Sequence, residues 1–290
     1  MANLKELRNK ISVVVSTRKV TAAMKLVAGV KLKKAEQKAM ASREYASELG
    51  HMLAKIRREF LNINCELFYG RDFVHREMLV VFASDKGLCG NFNYVINKEV
   101  SGIISNIHAE NKKVHLICVG DKLFDILKQK LNDDDLIELT GDFYKSEKLF
   151  DNSRKLAQKI IADFTSNNVD RVSLVYTRCY SAMHREVRVK NIIPLICEPN
   201  PDKTETIFEP NIEDVLKSII PYNVAVQIYQ SALESVASEQ GSRMTSMDSA
   251  TRNADELLSN LTIKYNRTRQ YNITQELVEV VSGASAVAKG

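Results

Sequence analysis

Residues 3–58 read NLKELRNKISVVVSTRKVTAAMKLVAGVKLKKAEQKAMASREYASELGHMLAKIRR, and this stretch decides the fold. It contains no proline, and apolar or small residues recur in it at alternating steps of three and four. The positions that follow this spacing are Leu4, Leu7, Ile11, Val14, Thr21, Ala28, Leu32, Ala35, Ala39, Ala46, Leu49, Leu53 and Ile56. The spacing is typical of a coiled-coil seam and predicts one continuous helix about 80 Å long, at ~1.5 Å per residue.

The other end of the chain carries a matching pattern. Pro221 is the last proline, so we expect it in the first turn of a second long helix, and Gly283 predicts the end of that helix. The apolar positions are Met244, Met247, Ala250, Ala254, Leu257, Leu261, Tyr265, Ile273, Leu277 and Val281. Because neither helix could bury its stripe alone, the two predict an antiparallel pair. The polar residues on or beside the seam, which predict local twisting or separation, are Arg18, Lys25, Glu239 and Arg243.

Between these helices the pattern changes to short apolar runs that alternate with helical segments. The runs 78–83, 114–119 and 172–177 are almost entirely apolar, as expected for parallel strands that are covered on both faces. Helices are predicted at about 93–110, 121–130 and 149–167, and the alternating run 185–190 predicts an antiparallel strand at the edge of the sheet. The predicted domains are therefore a coiled-coil helix over 1–58, a Rossmann-like α/β domain over 72–206, and a second coiled-coil helix over 211–290 that packs on the first.

The net charge of +5 is unevenly distributed along the chain. Residues 1–58 hold 14 Lys and Arg against 4 Asp and Glu, a net charge of +10, so this helix must face acidic groups, phosphate or water. The basic residues from Arg18 to Lys38 surround the helix and no aromatic residues lie among them, which favours a solvated coiled-coil face over a nucleic-acid surface. No run approaches the ~20 apolar residues that a membrane span needs, so we expect no direct membrane insertion.

One motif could carry chemistry, the ten residues Ser84-Asp-Lys-Gly-Leu-Cys-Gly-Asn-Phe-Asn93 between a predicted strand and a predicted helix. It lacks the spacing of a dinucleotide-binding or phosphate-binding loop, so its glycines are interpreted as turn residues. The five histidines and five cysteines are too scattered for a metal site, and the run Asp133-Asp-Asp135 before a predicted strand is interpreted as a solvated turn. No catalytic residue, metal ligand or cofactor is predicted.

Three stretches together resemble one known family. Residues 17–28, the motif 84–93 and residues 273–284 are similar, in order and spacing, to the gamma subunit of F-type ATP synthases. The resemblance implies a left-handed antiparallel coiled coil beside a Rossmann-like domain. It also implies a rotor in the central stalk of a proton-translocating enzyme, without a catalytic site of its own, on the cytoplasmic face of the bacterial inner membrane. The implied partners are the alpha and beta subunits of the catalytic head, the epsilon subunit and the membrane c-ring.

The resemblance also implies contact residues. Arg269, Gln270 and Thr274 match positions that meet a loop of the beta subunit, whereas Met24, Lys25 and Arg243 match positions that face an acidic lever of the beta subunit. Phe208 and Glu209 match the foot that faces the c-ring and epsilon. From the residues alone, each of these positions would be interpreted as an ordinary solvated or packing residue.

Two other classes of function remain open on the residues alone. The first is a free-standing α/β enzyme with helical arms for dimerisation, which the lack of a paired acid, base or nucleophile disfavours. The second is a coiled-coil nucleic-acid or scaffold protein, which would need aromatic platforms or a one-sided basic stripe.

Overall fold

The computed structural model describes residues 4–59, 66–144, 148–181, 184–195 and 212–287. The elements in chain order are α1 (Leu4–Glu59), α2 (Glu66–Tyr69), β1 (Arg76–Phe82), α3 (Phe92–Ala109), β2 (Lys113–Val119), α4 (Phe124–Lys128), β3 (Leu136–Thr140), α5 (Leu149–Thr165), β4 (Arg171–Cys179), β5 (Arg185–Ile193) and α6 (Ile212–Val287). The chain divides into two compact units. The helical unit is formed by Met1–Val27 with Met244–Gly290, and the sheet unit by Ala28–Arg243.

In the helical unit the start of α1 packs against the second half of α6. Three cross-helix contacts fix the direction: Arg18 pairs with Asp255 at 2.5 Å, Thr251 donates to the Thr21 hydroxyl at 2.9 Å, and Lys25 pairs with Asp248 at 2.6 Å. The residue numbers rise along α1 as they fall along α6, which confirms the antiparallel pair. Apolar packing comes from buried seam positions that include Leu7, Met247 and Ala254. The middle of this seam is polar, as the positions of Arg18 and Lys25 predicted.

The two residues predicted to mark the start and the end of the second helix both lie inside it. Pro221 lies inside α6 rather than in its first turn, and the helix continues through Gly283 to Val287. A glycine that ends a helix adopts a positive φ, and Gly283 is not among the described glycines that do so. A single glycine inside a helix costs only ~1 kcal/mol relative to alanine, which its helical neighbours on both sides offset.

The sheet unit contains one five-stranded sheet in the order β3-β2-β1-β4-β5. The first four strands pair in parallel, and β5 runs antiparallel to β4 at one edge. Strand order and direction confirm the predicted Rossmann-like domain with its antiparallel edge strand.

Two apolar cores cover the two faces of this sheet. On one face, α3 and α4 pack against side chains such as Leu79 and Leu116. On the other face, α5 packs together with segments of α1 and α6 against side chains such as Val80 and Ile117. Because β1 and β2 are buried on both sides, their sequences are almost entirely apolar. The long helices are therefore joined to the sheet by a continuous core within this unit.

The solvated turn predicted for Asp133-Asp-Asp135 was wrong at its last residue. The Asp135 side chain is 1% exposed. Its Oδ1 accepts a hydrogen bond from the Val114 backbone N–H at 2.7 Å. Its Oδ2 accepts one from the Asn132 backbone N–H at 2.8 Å and lies 2.8 Å from His108 Nε2. Asp135 therefore ties the loop before β3 to the end of α3 and the start of β2, whereas Asp134 is exposed as predicted.

Candidate functional site

The predicted contact residues Met24 and Lys25 lie on α1 in the helical unit. The Lys25 ammonium pairs with Asp248 on α6, and both side chains are partly exposed. Asp248 also pairs with Arg252 at 2.8 Å, and the hydrogen bond from Lys25 is the main cause that lowers the pKa of Asp248. Met24 is half-buried beside the seam. Lys25 is thus accessible from outside, although it already has a counter-ion of its own.

The predicted contact residues Arg269, Gln270 and Thr274 lie near the end of α6 and are all exposed. The Thr274 hydroxyl donates to the Gln270 carbonyl at 3.0 Å, a bond within the helix that leaves both outer surfaces accessible. Glu6, close to the start of α1, lies within electrostatic range of Lys264. The part of α6 that follows Lys264 therefore extends past Leu4, the first described residue of α1.

This last part of α6 exposes large apolar side chains to an unusual degree. Their exposed fractions run from 46% to 69%, and the residues are Tyr271, Ile273, Leu277, Val278, Val280 and Val281. Contiguous exposed apolar surface marks an interaction site in a soluble protein. An isolated helix gains little stability in water without packing, so this end requires a surrounding partner.

The predicted contact residue Arg243 lies in the sheet unit and is largely buried. Its Nη2 donates to the Glu239 carboxylate at 2.5 Å and to the Lys86 and Gly87 carbonyls at 3.3 and 3.2 Å. The side chains of Arg243 and Glu239 are each only 12% exposed. The sequence indicated a polar residue beside the seam, but not that this arginine holds the turn that follows β1.

That turn is the motif 84–93, and the structure confirms its interpretation as a strand-to-helix turn. Leu88 and Gly90 both have positive φ, 61° and 59°. For a non-glycine residue such as Leu88 this conformation costs about 1–3 kcal/mol. Asn93 Nδ2 donates to the Ser84 hydroxyl at 2.7 Å, and Ser84 Oγ donates to the Lys86 carbonyl at 2.9 Å. These bonds close the base of the turn and leave its tip at Leu88 exposed.

The predicted foot residues Phe208 and Glu209 lie outside the described residues. Within the described ranges, no group of three or more His, Cys, Asp or Glu side chains is arranged to hold a metal ion. None of the helices described is both long and apolar enough to cross a membrane. A cavity of about 780 Å³ lies at the amino ends of the parallel strands and is lined mainly by polar side chains such as Arg71 and Asp170.

The fold and the exposed helix end define a class: proteins with two long terminal helices that pair with each other and with a Rossmann-like domain between them in the sequence. Residues 3–287 match the family model described as ATP synthase. The chain is 39% identical to an ATP synthase gamma chain from Gluconacetobacter diazotrophicus and 35% identical to one from Geobacter metallireducens. These alignments cover 99% of this chain and 100% and 99% of the relatives. The chain therefore belongs to the ATP synthase gamma chain family.

Solved structures share the fold at lower identity. A chain in the central stalk and c-ring structure of the Tetrahymena thermophila mitochondrial ATP synthase matches with a TM-score of 0.61 at 24% identity, over 80% of this chain and 99% of that one. A chain of the Euglena gracilis mitochondrial ATP synthase matches with a TM-score of 0.66 at 17% identity, over 98% and 94%. Both show that the arrangement of helices and sheet is shared.

Proposed function

We propose that this chain is the central-stalk rotor of a proton-translocating F-type ATP synthase. It turns inside a hexamer of alpha and beta subunits, couples rotation of the c-ring to ATP synthesis and hydrolysis at the beta subunits, and has no catalytic site of its own. Membership of the gamma chain family supports this role, as do the similar chains from structures described as central stalk and rotor.

The observation that carries the proposal is the exposed apolar end of α6. Tyr271, Ile273 and Leu277 belong to a run of apolar side chains on a helix that extends past its partner's described start. A surrounding sleeve of other subunits would cover this surface and act as a bearing, because apolar contact is non-directional and permits sliding.

The coupling role requires the rotor to present a different face to each of three beta subunits. A ligand or partner can bias a conformational equilibrium only through contacts that differ between the states. We assign these contacts to Arg269, Gln270 and Thr274 on α6, and to Met24, Lys25 and Arg243. Exposed ion pairs contribute about 1 kcal/mol or less, so rotation would meet many small barriers instead of one large barrier.

Lys25 illustrates how such a contact can form and break. Its ammonium now pairs with Asp248 on a partly exposed surface. Exchanging this carboxylate for one on an acidic lever of a beta subunit replaces one exposed ion pair with another of similar energy. Asp248 keeps Arg252 as a second counter-ion after the exchange.

We also assign Phe208 and Glu209, which lie outside the described residues, to contacts with the epsilon subunit and the c-ring. We further propose that these partners hold the chain at the cytoplasmic face of the bacterial inner membrane. Neither nucleic acid nor a cofactor has a role in this function.

Mixing the purified chain with alpha and beta subunits tests the proposal. We expect the three to co-purify as one complex, and we expect nucleotide binding and ATP hydrolysis in the complex but not in the chain alone. Nucleotide turnover by the isolated chain would favour the α/β-enzyme alternative. If this chain did not associate with the alpha and beta subunits, that result would contradict the rotor function.

A further inference from the structure

One turn of α6 holds the loop Lys86–Cys89 through two consecutive residues. Ser242 Oγ donates to the Cys89 carbonyl at 2.6 Å, and Arg243 Nη2 donates to the Lys86 and Gly87 carbonyls. The Ser242 bond secures the base of the loop, whereas the arginine secures its outer part. The space beside Gly87 is open, since no atom outside its two chain neighbours lies within 4 Å of the position that a Cβ would occupy.

The position of the arginine depends on Glu239. The same nitrogen that bonds to the two carbonyls also donates to Glu239 Oε1 at 2.5 Å, so the carboxylate orients the guanidinium toward the loop. Burial raises the pKa of Glu239, and the charge of Arg243 opposes this effect. Asp85 also acts to raise this pKa, and Lys31 acts to lower it. Burial outweighs the attraction, so the pKa of Glu239 lies above its usual value, and a buried pair of this kind is destabilised when one partner is lost.

The loop conformation is itself strained. Leu88 at its tip has a φ of 61° and is 63% exposed, so its backbone is not held by side-chain packing. A strained segment persists only while surrounding contacts fix it. Here the contacts from α6 are those of Arg243 and Ser242, and Ser84 Oγ adds a bond to the Lys86 carbonyl from within the turn. Loss of the arginine contact should let the outer part of the loop relax.

We propose that Glu239 and Arg243 form a releasable clamp on the loop Lys86–Cys89. Glu239 is a positioning residue that keeps the arginine on the loop carbonyls. A carboxylate of a surrounding subunit that replaces Glu239 as the counter-ion of Arg243 draws the arginine away and opens the loop. This second step rests on the proposed rotor function, whereas the clamp itself does not.

Two native cysteines report on the clamp in the full-length chain. The Cys89 side chain lies under the loop, where the residue is 3% exposed, so an open loop admits a maleimide reagent to its thiol. Cys118 on β2 is fully buried, burial raises the pKa of its thiol to about 12, and it reacts only when the whole unit unfolds. Labelling rates at the two sites, followed by peptide mass spectrometry, therefore separate loop opening from unfolding.

We expect Glu239→Gln to raise the labelling rate of Cys89 about 10-fold or more and to leave Cys118 unchanged. Arg243→Ala should give a similar increase, and the double variant no more than either single variant, because the two residues act as one unit. Glu256→Gln, which changes an exposed glutamate of the same helix, is the matched control and should have no effect. An unchanged Cys89 rate in Glu239→Gln, or an equal increase at Cys118, would overturn the clamp.

The exchange step is tested in the complex with alpha and beta subunits during ATP hydrolysis. We expect labelling of Cys89 in the wild-type complex to approach the rate of the isolated Glu239→Gln chain. A rate at or below that of the isolated wild-type chain would overturn the exchange. If no complex forms, the rotor function fails, while the labelling of the isolated chain still decides whether the clamp exists.

Discussion

Asp170 shows how one side chain at the amino end of the sheet can fix several segments. Its carboxylate accepts from the backbone N–H groups of His75 and Arg76 at 2.8 and 3.0 Å, and from Arg71 Nη1 at 2.9 Å. Burial acts to raise the pKa of Asp170. The hydrogen bonds from the Arg76 N–H, the Arg71 guanidinium and the His75 N–H lower it and together outweigh burial. The net pKa lies below the ordinary value of 3.8.

We predict that Asp170→Asn lowers the free energy of unfolding at pH 7 by about 2–3 kcal/mol, because it removes a charged acceptor of three hydrogen bonds. A lowered pKa contributes stability above pH 3.8, and this contribution is lost as the pH falls through the native pKa. The difference between variant and wild type should therefore shrink below pH 3.8 in urea unfolding curves. The exposed control Asp134→Asn should change stability by less than about 0.5 kcal/mol. A pH-independent difference would contradict the assignment.

A second prediction at the residue scale concerns the contacts on the end of α6. Replacing both Arg269 and Gln270 by Ala should lower ATP turnover of the reconstituted complex by about 10-fold, equivalent to ~1.4 kcal/mol, and reduce assembly much less. Turnover should fall because these two residues are the assigned contacts with the beta subunit. Assembly should change much less because both side chains are exposed and do not pack within the chain itself. Asn266→Ala, an exposed position of the same helix, is the control. Unchanged turnover in the double variant would refute the assigned role.

At the scale of elements, the sequence predicted most of the fold because each pattern had one physical interpretation. The alternating spacing in α1 and α6 could be buried only by pairing, and the apolar runs of β1, β2 and β4 could be satisfied only by cover on both faces. The boundaries at Pro221 and Gly283 were missed because both residues are tolerated inside a helix that its neighbours stabilise. Asp135 was missed because its partners, Val114 and His108, are distant in sequence.

The candidate site was less predictable. The contact residues on α6 came from the family resemblance, since exposure alone does not distinguish a contact residue from a solvated one. The clamp of Arg243 on Lys86 and Gly87 involves backbone carbonyls, which leave no signal in the sequence. The polar residues Glu239 and Arg243, on or beside the predicted seam, were the available indication.

An element-scale prediction follows from the length of α6. Removing residues 284–290 should reduce coupling only mildly, because the last turn of a helix in a bearing adds few contacts that differ between states. ATP-driven proton pumping by reconstituted complexes measures this, with the full-length chain as the control. Loss of assembly of the head after this truncation would count against the bearing role of the preceding apolar residues.

For the whole molecule, charge and apolar surface indicate the same type of partner. Residues 7–35 of α1 contain eight Lys and Arg and no Asp or Glu, and only some of these charges are neutralised from α6, as at Arg18 and Lys25. The end of α6 adds exposed apolar side chains. A ring of subunits that presents acidic loops and an apolar inner surface would be complementary to both features. The molecule is thus suited to turn within a ring of other subunits.

The most direct test of the rotor function is single-molecule rotation. Alpha and beta subunits are immobilised as a head with this chain, and an optical probe is attached to an exposed residue of the Rossmann-like domain. We expect the probe to turn in one direction when ATP is added and to stop when ATP is removed. A probe that stays fixed while the same heads hydrolyse ATP would contradict it.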